Sequence, residues 1–153
     1  MDLMSATFWF SSIFIFPLWV LMWFFPKHEI TKKVVGDLRI CSFPLIASYA
    51  ILLLPNAADV LVTLGSEMPT PNLVIELFTS DEMIILPWLH FLVMDTFIGR
   101  YIWMRMLAAG RPIQISMPVL LTCIMLGPIG LLIGILATLD VEDDISIPSR
   151  PVE

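Results

Sequence analysis

The chain has 153 residues, of which 58% are hydrophobic and only 14% charged, and its formal net charge is −6. A soluble domain is typically about half apolar and about a quarter charged, so this composition favours an integral membrane protein surrounded by a lipid bilayer. Five acids and one arginine lie in residues 140–153, where we expect an acidic, disordered tail. No basic excess indicates a nucleic-acid partner.

Four stretches approach the roughly 20 apolar residues that cross the hydrocarbon of a bilayer. They cover residues 5–25, 38–54, 82–107 and 117–139. We therefore predict an all-α fold, an integral membrane four-helix bundle with short extramembrane helices, in one four-span domain over residues 1–139. The first stretch is expected to be retained rather than cleaved as a signal peptide, because its apolar run is long and ends at Pro26-Lys27.

Local signals predict where the shorter segments begin. Asn56 is expected to cap a short helix that runs through Leu64, and Asn72 is expected to cap a second one at the membrane surface. Ser80 is the expected cap of the third span.

Cys41 and Cys123 both lie in apolar segments. A free cysteine behaves as a small hydrophobic residue, so we expect two buried thiols rather than a disulfide bond. No cysteine and histidine pair has the spacing of zinc ligands. The sequence predicts neither a metal site nor a cofactor.

The basic residues are distributed unevenly among the predicted loops. Those in or beside the first and third loops are Lys27, Lys32, Lys33, Arg39, Arg105 and Arg111. The second loop carries acids and no lysine or arginine. Because basic residues near span ends mark the cytoplasmic side, the pattern predicts that both termini face away from the cytoplasm, or from the stroma of a plastid. The expected location is a bacterial, cyanobacterial or plastid membrane.

The third span carries three ionisable residues, His90, Asp95 and Arg100. An ionisable group at bilayer depth costs roughly 2.5–3.5 kcal/mol on insertion scales, so such groups usually face protein or a cavity. We predict that all three are catalytic residues. Two structural alternatives stay open: Arg100 as an anchor at the interface, and His90 with Asp95 as a hydrogen-bonded pair that locks helices together.

On a helical wheel with His90 at 0°, Asp95 falls near about 140° and Arg100 near about 280°. Because no wide lipid-facing arc is left, we expect the third helix at the centre of the bundle. Trp88 and Gly99 share the face of Asp95, and Tyr101 shares the face of His90. Trp88, Gly99 and Tyr101 are the expected substrate-binding residues.

The fourth span contains Gly127, Gly130 and Gly134 on one face, with Pro128 among them. Small residues let another helix approach at backbone distance, and an internal proline kinks a helix. We expect tight packing against the third helix. The alternative is that the kink opens a ligand slot beside Asp95.

Several short motifs follow one another in the order typical of a known family. They are Ser-x-Glu at Ser80 and Glu82, Trp-x-His at Trp88 and His90, the carboxylate Asp95, Gly99-Arg100, and Gly-Pro-x-Gly from Gly127 to Gly130. With these motifs, residues 77–136 resemble the abscisic-acid-deficient-four-like membrane proteins. The resemblance implies a four-span protein and, as for the plant member, isomerisation of violaxanthin to neoxanthin.

Two functions fit these observations. The first is a multi-pass transmembrane isomerase of carotenoid or related isoprenoid biosynthesis, or an essential subunit of one, in which a histidine and a carboxylate supply acid–base chemistry. The second is a non-catalytic membrane scaffold or pigment-binding subunit. The expected partners are a carotenoid or isoprenoid ligand and another membrane protein or a second copy of the chain. Few intramembrane carboxylates are present, which disfavours an ion transporter.

Overall fold

The computed structural model describes residues 2–66, 68, 70–79 and 81–141, and every regular element within them is helical. The helices are α1 (Leu3–Phe24), α2 (Glu29–Val34), α3 (Leu38–Leu53), α4 (Ala57–Ser66), α5 (Pro71–Leu77), α6 (Asp81–Ala108), α7 (Ile113–Met125) and α8 (Gly127–Leu136). Three helices are long and apolar enough to cross a membrane, namely Leu3–Phe24, Leu38–Asn56 and Met83–Ala108. The predicted all-α fold is confirmed. The acidic tail expected over residues 140–153 lies almost wholly outside the described residues.

Side-chain caps fix where several helices begin. The Asp2 carboxylate accepts a hydrogen bond from the Ser5 N–H at 2.8 Å, and hydrogen bonding from Ser5 holds the pKa of that carboxyl below its usual range. The cap of α5 is Thr70, whose hydroxyl accepts a backbone N–H at 3.3 Å. The prediction that Asn72 caps this helix was therefore wrong, since Asn72 lies inside it. Ser80, the predicted cap of the third span, lies outside the described residues.

The second predicted span ends as expected, at a break followed by a short helix. A 3₁₀ turn at Leu54–Asn56 separates α3 from α4. The Asn56 amide donates back to the Leu52 carbonyl at 3.4 Å. The short helix α2 was not predicted, and the Thr31 hydroxyl ties it to the end of α1 by donating to the Phe25 carbonyl at 2.7 Å.

The fourth predicted span is not one helix. It consists of α7 and α8, which meet at Leu126, where the φ of −144° and ψ of 65° are not helical. At about 1.5 Å per residue, the 13 residues of α7 and the 10 residues of α8 are each too short to cross about 30 Å of hydrocarbon. The break lies two residues before Pro128, so the expected kink is present, but the chain reverses direction there rather than bending.

The helices α7 and α8 fold back on each other as an antiparallel hairpin. A side chain at Gly130 would clash with the backbone of Cys123, seven residues earlier in the chain. At the open end of the hairpin, Arg111 before α7 donates to the Ala137 carbonyl after α8 at 2.9 Å. Both ends of the hairpin therefore lie together, and its turn at Leu126 is the far end.

The hairpin packs beside the second half of α6. Gly127 adjoins Asp95, and a side chain at Gly134 would come within 2.6 Å of Ile102. Thus α8 runs in the same direction as α6 and ends near Arg105, which bonds to residues after α8. The packing predicted for the glycine face is found for two of its members, whereas the third, Gly130, packs within the hairpin.

This arrangement differs from the predicted one. We call the end of the bundle that holds α2 and the α6–α7 loop the α2 end, and the opposite end the α4 end. Asp2 lines a cavity at the α4 end with Asn56 and Asp81. The hairpin enters from the α2 end and returns to it. The first and last described residues therefore lie at opposite ends of the bundle, whereas the prediction of four spans places both termini on one side.

The core lies where α6 meets α1 and the hairpin. Its largest fully buried side chains include Trp19, Met22, Ile102, Met106 and Leu120. As expected, α6 is the central helix and packs against α1, α3, α7 and α8. The helix is not enclosed on all sides, however, because α6 exposes a strip that consists of His90, Phe91, Met94, Phe97 and Met104.

Cysteine labelling tests this topology. In sealed vesicles of one orientation, on a chain whose buried Cys41 and Cys123 are replaced by alanine, we expect Leu139→Cys and Lys33→Cys to react with an impermeant maleimide from the same side. Glu76→Cys is expected to react only from the other side. Reaction of Leu139→Cys together with Glu76→Cys would restore the four-span topology.

Glycine substitution tests the hairpin. Gly130→Ala is expected to lower the free energy of unfolding in detergent by about 1–3 kcal/mol, because the new methyl group would overlap backbone that cannot swing away. Gly65→Ala is the matched control, since nothing lies within 4 Å of that position. Equal stability of the two variants would contradict the antiparallel packing of α7 and α8.

Candidate functional site

His90 lies on the exposed strip of α6, beside Tyr49 of α3. The centroids of the two rings are 5.8 Å apart, and the ring planes are inclined by 57°. Both side chains line a cavity of about 400 Å³ whose other lining residues are Leu53, Val60, Val74, Phe78, Met83, Leu86, Pro87 and Phe91. A largely apolar cavity with few polar groups is typical of a ligand site. Among the described lining residues, the imidazole and the phenol are the polar groups.

A second apolar cavity continues along the same helix pair toward the α2 end. It has a volume of about 500 Å³ and is lined by Leu38, Arg39, Ser42, Phe43, Ile46, Val93, Met94 and Phe97. The residues that line these two cavities together define the α3–α6 groove. Because the 16 residues of α3 extend over about 24 Å, the groove suits an elongated apolar molecule.

Asp95 lies on a different face of α6, against the first turn of α8. A side chain at Gly127 would clash with a carboxylate oxygen of Asp95, so the glycine leaves room for the carboxylate. The N-terminal end of a helix favours a negative charge, which gives this half-buried acid a structural reason to lie there. The structure therefore does not bring Asp95 together with His90.

Arg100 fastens α6 to the segment between α2 and α3. Its Nε donates to the Val35 carbonyl at 2.9 Å, and its Nη2 donates to the Gly36 carbonyl at 2.6 Å. Carbonyls at the end of a helix have no partner within the helix, so the guanidinium supplies one for each. This is the position expected of an anchor at the interface, and it is distant from the cavity that holds His90.

The three predicted substrate-binding residues lie apart from one another. Trp88 packs against a phenylalanine of α1, with 6.2 Å between the ring centroids. Gly99 is buried under the indole ring of a tryptophan of α1. The Tyr101 hydroxyl accepts a hydrogen bond from Arg105 at 3.3 Å. None of them lines the His90 cavity.

Two further arginines hold the end of α8. Arg105 is only 7% exposed, and it donates to the Thr138 hydroxyl at 2.9 Å, to the Thr138 carbonyl at 2.8 Å and to the Val141 carbonyl at 3.0 Å. Arg111 donates to the Ala137 carbonyl at 2.9 Å. A cation at the C-terminal end of a helix is favourable. These bonds keep the hairpin closed at the α2 end.

Sequence reasoning missed Tyr49 and the buried role of Arg105. A phenol inside an apolar span needs a polar neighbour, and this was the available signal for Tyr49. Arg105 was counted only as a charge that marks the cytoplasmic side. Its burial follows from the return of α8, which no local pattern in the sequence predicts.

Comparison with known proteins identifies a family that covers most of α1, helices α2 to α7 and part of α8 of this architecture. The ABA DEFICIENT 4-like family profile matches residues 6–133, which is most of the chain. The chain belongs to this family. No curated protein and no solved structure matches it. Membership of the ABA DEFICIENT 4-like family confirms the resemblance inferred from residues 77–136 and extends it to α1 and α3. Together with the three long apolar helices, it indicates a membrane protein whose α3–α6 groove lies entirely within the family region.

A conservative substitution tests the anchoring role of Arg100. We expect Arg100→Lys to lower the free energy of unfolding by about 2 kcal/mol, because a single ammonium group cannot reach both carbonyls in the geometry of the guanidinium fork. Arg39→Lys is the control, since Arg39 is exposed. If both variants unfold at the wild-type temperature in detergent, the two hydrogen bonds contribute nothing to the fold.

Proposed function

We propose that this ABA DEFICIENT 4-like protein binds an elongated apolar lipid of the carotenoid or isoprenoid class in the α3–α6 groove and isomerises it by acid–base chemistry. The observation that carries the proposal is the pairing of His90 with Tyr49 in a cavity that is otherwise apolar. The groove opens at the surface of the bundle, so a substrate dissolved in the bilayer reaches it from the side.

These two residues suit the opening of an epoxide to an allenic alcohol. In that reaction a C–O bond of the epoxide breaks, the oxygen gains a proton, and the neighbouring polyene carbon loses one as the allene forms. Tyr49 is the proton donor to the oxygen, and His90 is the base that removes the carbon-bound proton. The imidazolium then returns a proton to the phenolate, so the atoms balance without an oxidant.

The geometry favours His90 over the other two predicted catalytic residues for contact with such a ligand. Asp95 adjoins Gly127 of α8, and Arg100 is bonded to the backbone beside α2. In this proposal Asp95 and Arg100 support the site through the fold. Asp95 contacts the first turn of α8, and Arg100 holds the α2 end of α6 in place. Their effect on chemistry is indirect.

A binding-only function is the second candidate. Among the lining residues whose side chains the structure describes, none that accompanies His90 carries a charge. The same groove then holds a pigment without converting it, as in a non-catalytic pigment-binding subunit or scaffold.

The distribution of basic residues supports an orientation. Lys27, Lys32, Lys33 and Arg111 all lie at the α2 end, and we propose that this end faces the cytoplasm or stroma of a bacterial, cyanobacterial or plastid membrane. The N-terminus then lies on the opposite side, whereas the end of α8 lies on the cytoplasmic or stromal side.

Pigment analysis tests the isomerase. In a host strain that lacks the gene, wild-type protein should restore the missing product and remove the accumulated precursor. We expect His90→Ala and Tyr49→Phe to lower product formation by at least about 100-fold, the usual contribution of a general acid or base, with protein levels unchanged.

Tyr101→Phe is the matched control, because it removes the hydroxyl of the only other tyrosine in the chain and leaves the cavity intact. Asp95→Asn is expected to retain turnover per folded molecule. If Asp95→Asn loses turnover while His90→Ala and Tyr49→Phe keep it, the reaction takes place on the α8 side of α6 and not in the groove. Pigment that copurifies with the wild type but is never converted would establish the binding-only function.

A further inference from the structure

We propose that a cavity at the α2 end, separate from the α3–α6 groove, binds the phosphate headgroup of an anionic lipid. The cavity lies between the end of α1 and the start of α7 and has a volume of about 520 Å³. We call it the α1–α7 cavity. Its polar lining includes Lys27, His28, Arg111 and Gln114. Neither the acid–base proposal nor the family assignment uses it.

The charges at this cavity favour an anion. Lys27 and Arg111 line it, and none of the lining residues that the structure describes is acidic. Two described acids lie near it, and both are paired: Asp140 bonds to one nitrogen of Arg111, and Glu29, which follows His28, bonds to Lys32. The exposed Lys27 therefore supplies most of the uncompensated charge. A lone phosphate ion or phosphodiester is the ligand that such a site attracts.

The ring of His28 adds a donor. Its Nδ1 accepts the Ile30 N–H at 3.1 Å and so carries no proton. In the neutral imidazole the proton is then on Nε2, which is a hydrogen-bond donor. An oxygen-rich anion in the cavity can accept this bond.

The start of α7 also favours a bound anion. The residue before α7 is Pro112, and no side chain caps this helix. Its first backbone N–H groups, including that of Gln114, have no partner within the helix. The positive end of the helix dipole therefore adds to the charge of Lys27 at the same cavity.

The apolar lining indicates a lipid rather than a soluble ion. Phe24, Trp103, Met106 and Ile113 form one wall of the cavity. Phe24 ends α1, Trp103 and Met106 lie in the last two turns of α6, and Ile113 begins α7, so this apolar wall lies at the α2 end of the bundle. A phosphate held by Lys27 and the start of α7 would place its acyl chains along Phe24 and Ile113.

Native mass spectrometry of the purified full-length protein tests the proposal, with phosphatidylglycerol and phosphatidylcholine supplied at equal concentration. We expect the wild type to retain phosphatidylglycerol selectively. Lys27→Gln is expected to weaken that binding about fivefold, the usual effect of one basic residue near an anionic membrane surface. Gln114→Glu is expected to weaken it at least as much. Because an acid in the first turn stabilises a helix, this variant keeps the fold.

Lys33→Gln is the matched control, since it removes the same charge at the same end of the bundle from an exposed side chain outside the cavity. If Lys33→Gln and Lys27→Gln weaken the binding of phosphatidylglycerol equally, the lipid is attracted by the general surface charge and the proposed site is overturned. Equal retention of the two lipids by the wild type would overturn selectivity for an anion. Displacement of the lipid by millimolar inorganic phosphate would show that the cavity binds a soluble phosphate, and it would overturn the proposal of a lipid ligand.

Discussion

Backbone groups at helix ends need hydrogen-bond partners wherever lipid replaces water, and in this protein arginine side chains supply them. Arg100 satisfies two carbonyls beside α2, while Arg105 and Arg111 satisfy those after α8. Each of these bonds joins segments far apart in the chain. The arrangement of α6, the α2 segment and the hairpin depends on them. Arg111 is also one of the four basic residues on which the proposed orientation rests.

The hairpin of α7 and α8 is possible because glycine replaces side chains at its contacts. Gly130 lets the two helices meet at backbone distance, and Gly127 and Gly134 let α8 approach α6. Non-helical backbone at membrane depth is tolerated only where protein or a polar group accompanies it. The turn at Leu126 lies next to Asp95, whose carboxylate adjoins the first turn of α8. An acid in the middle of an apolar helix thus has a structural explanation that needs no substrate.

The polar side chains of the membrane-spanning helices therefore divide between two tasks. Asp95, Arg100 and Arg105 contact backbone or helix ends of the protein itself. Within the part of the chain that the structure describes, no such contact is found for His90 and Tyr49, which lie together in an apolar groove at the surface of the bundle. This division is the reason why the groove, rather than the interior of the bundle, is the better candidate for a ligand. It also separates variants that impair folding from variants that impair chemistry.

Composition and hydrophobic run length alone determined that the chain is helical and apolar enough for a membrane, and the motifs between residues 77 and 136 determined its family. They also located α1, α3 and α6 to within a few residues, because a long apolar run constrains a helix locally. Only the tertiary structure decided that the last apolar stretch turns back at Leu126, since a glycine-rich run of 23 residues fits a span and a hairpin equally well by length. It also decided that His90 meets Tyr49 rather than Asp95, because the partner of a side chain depends on which helix packs beside it. Periodicity along one helix carries no such information.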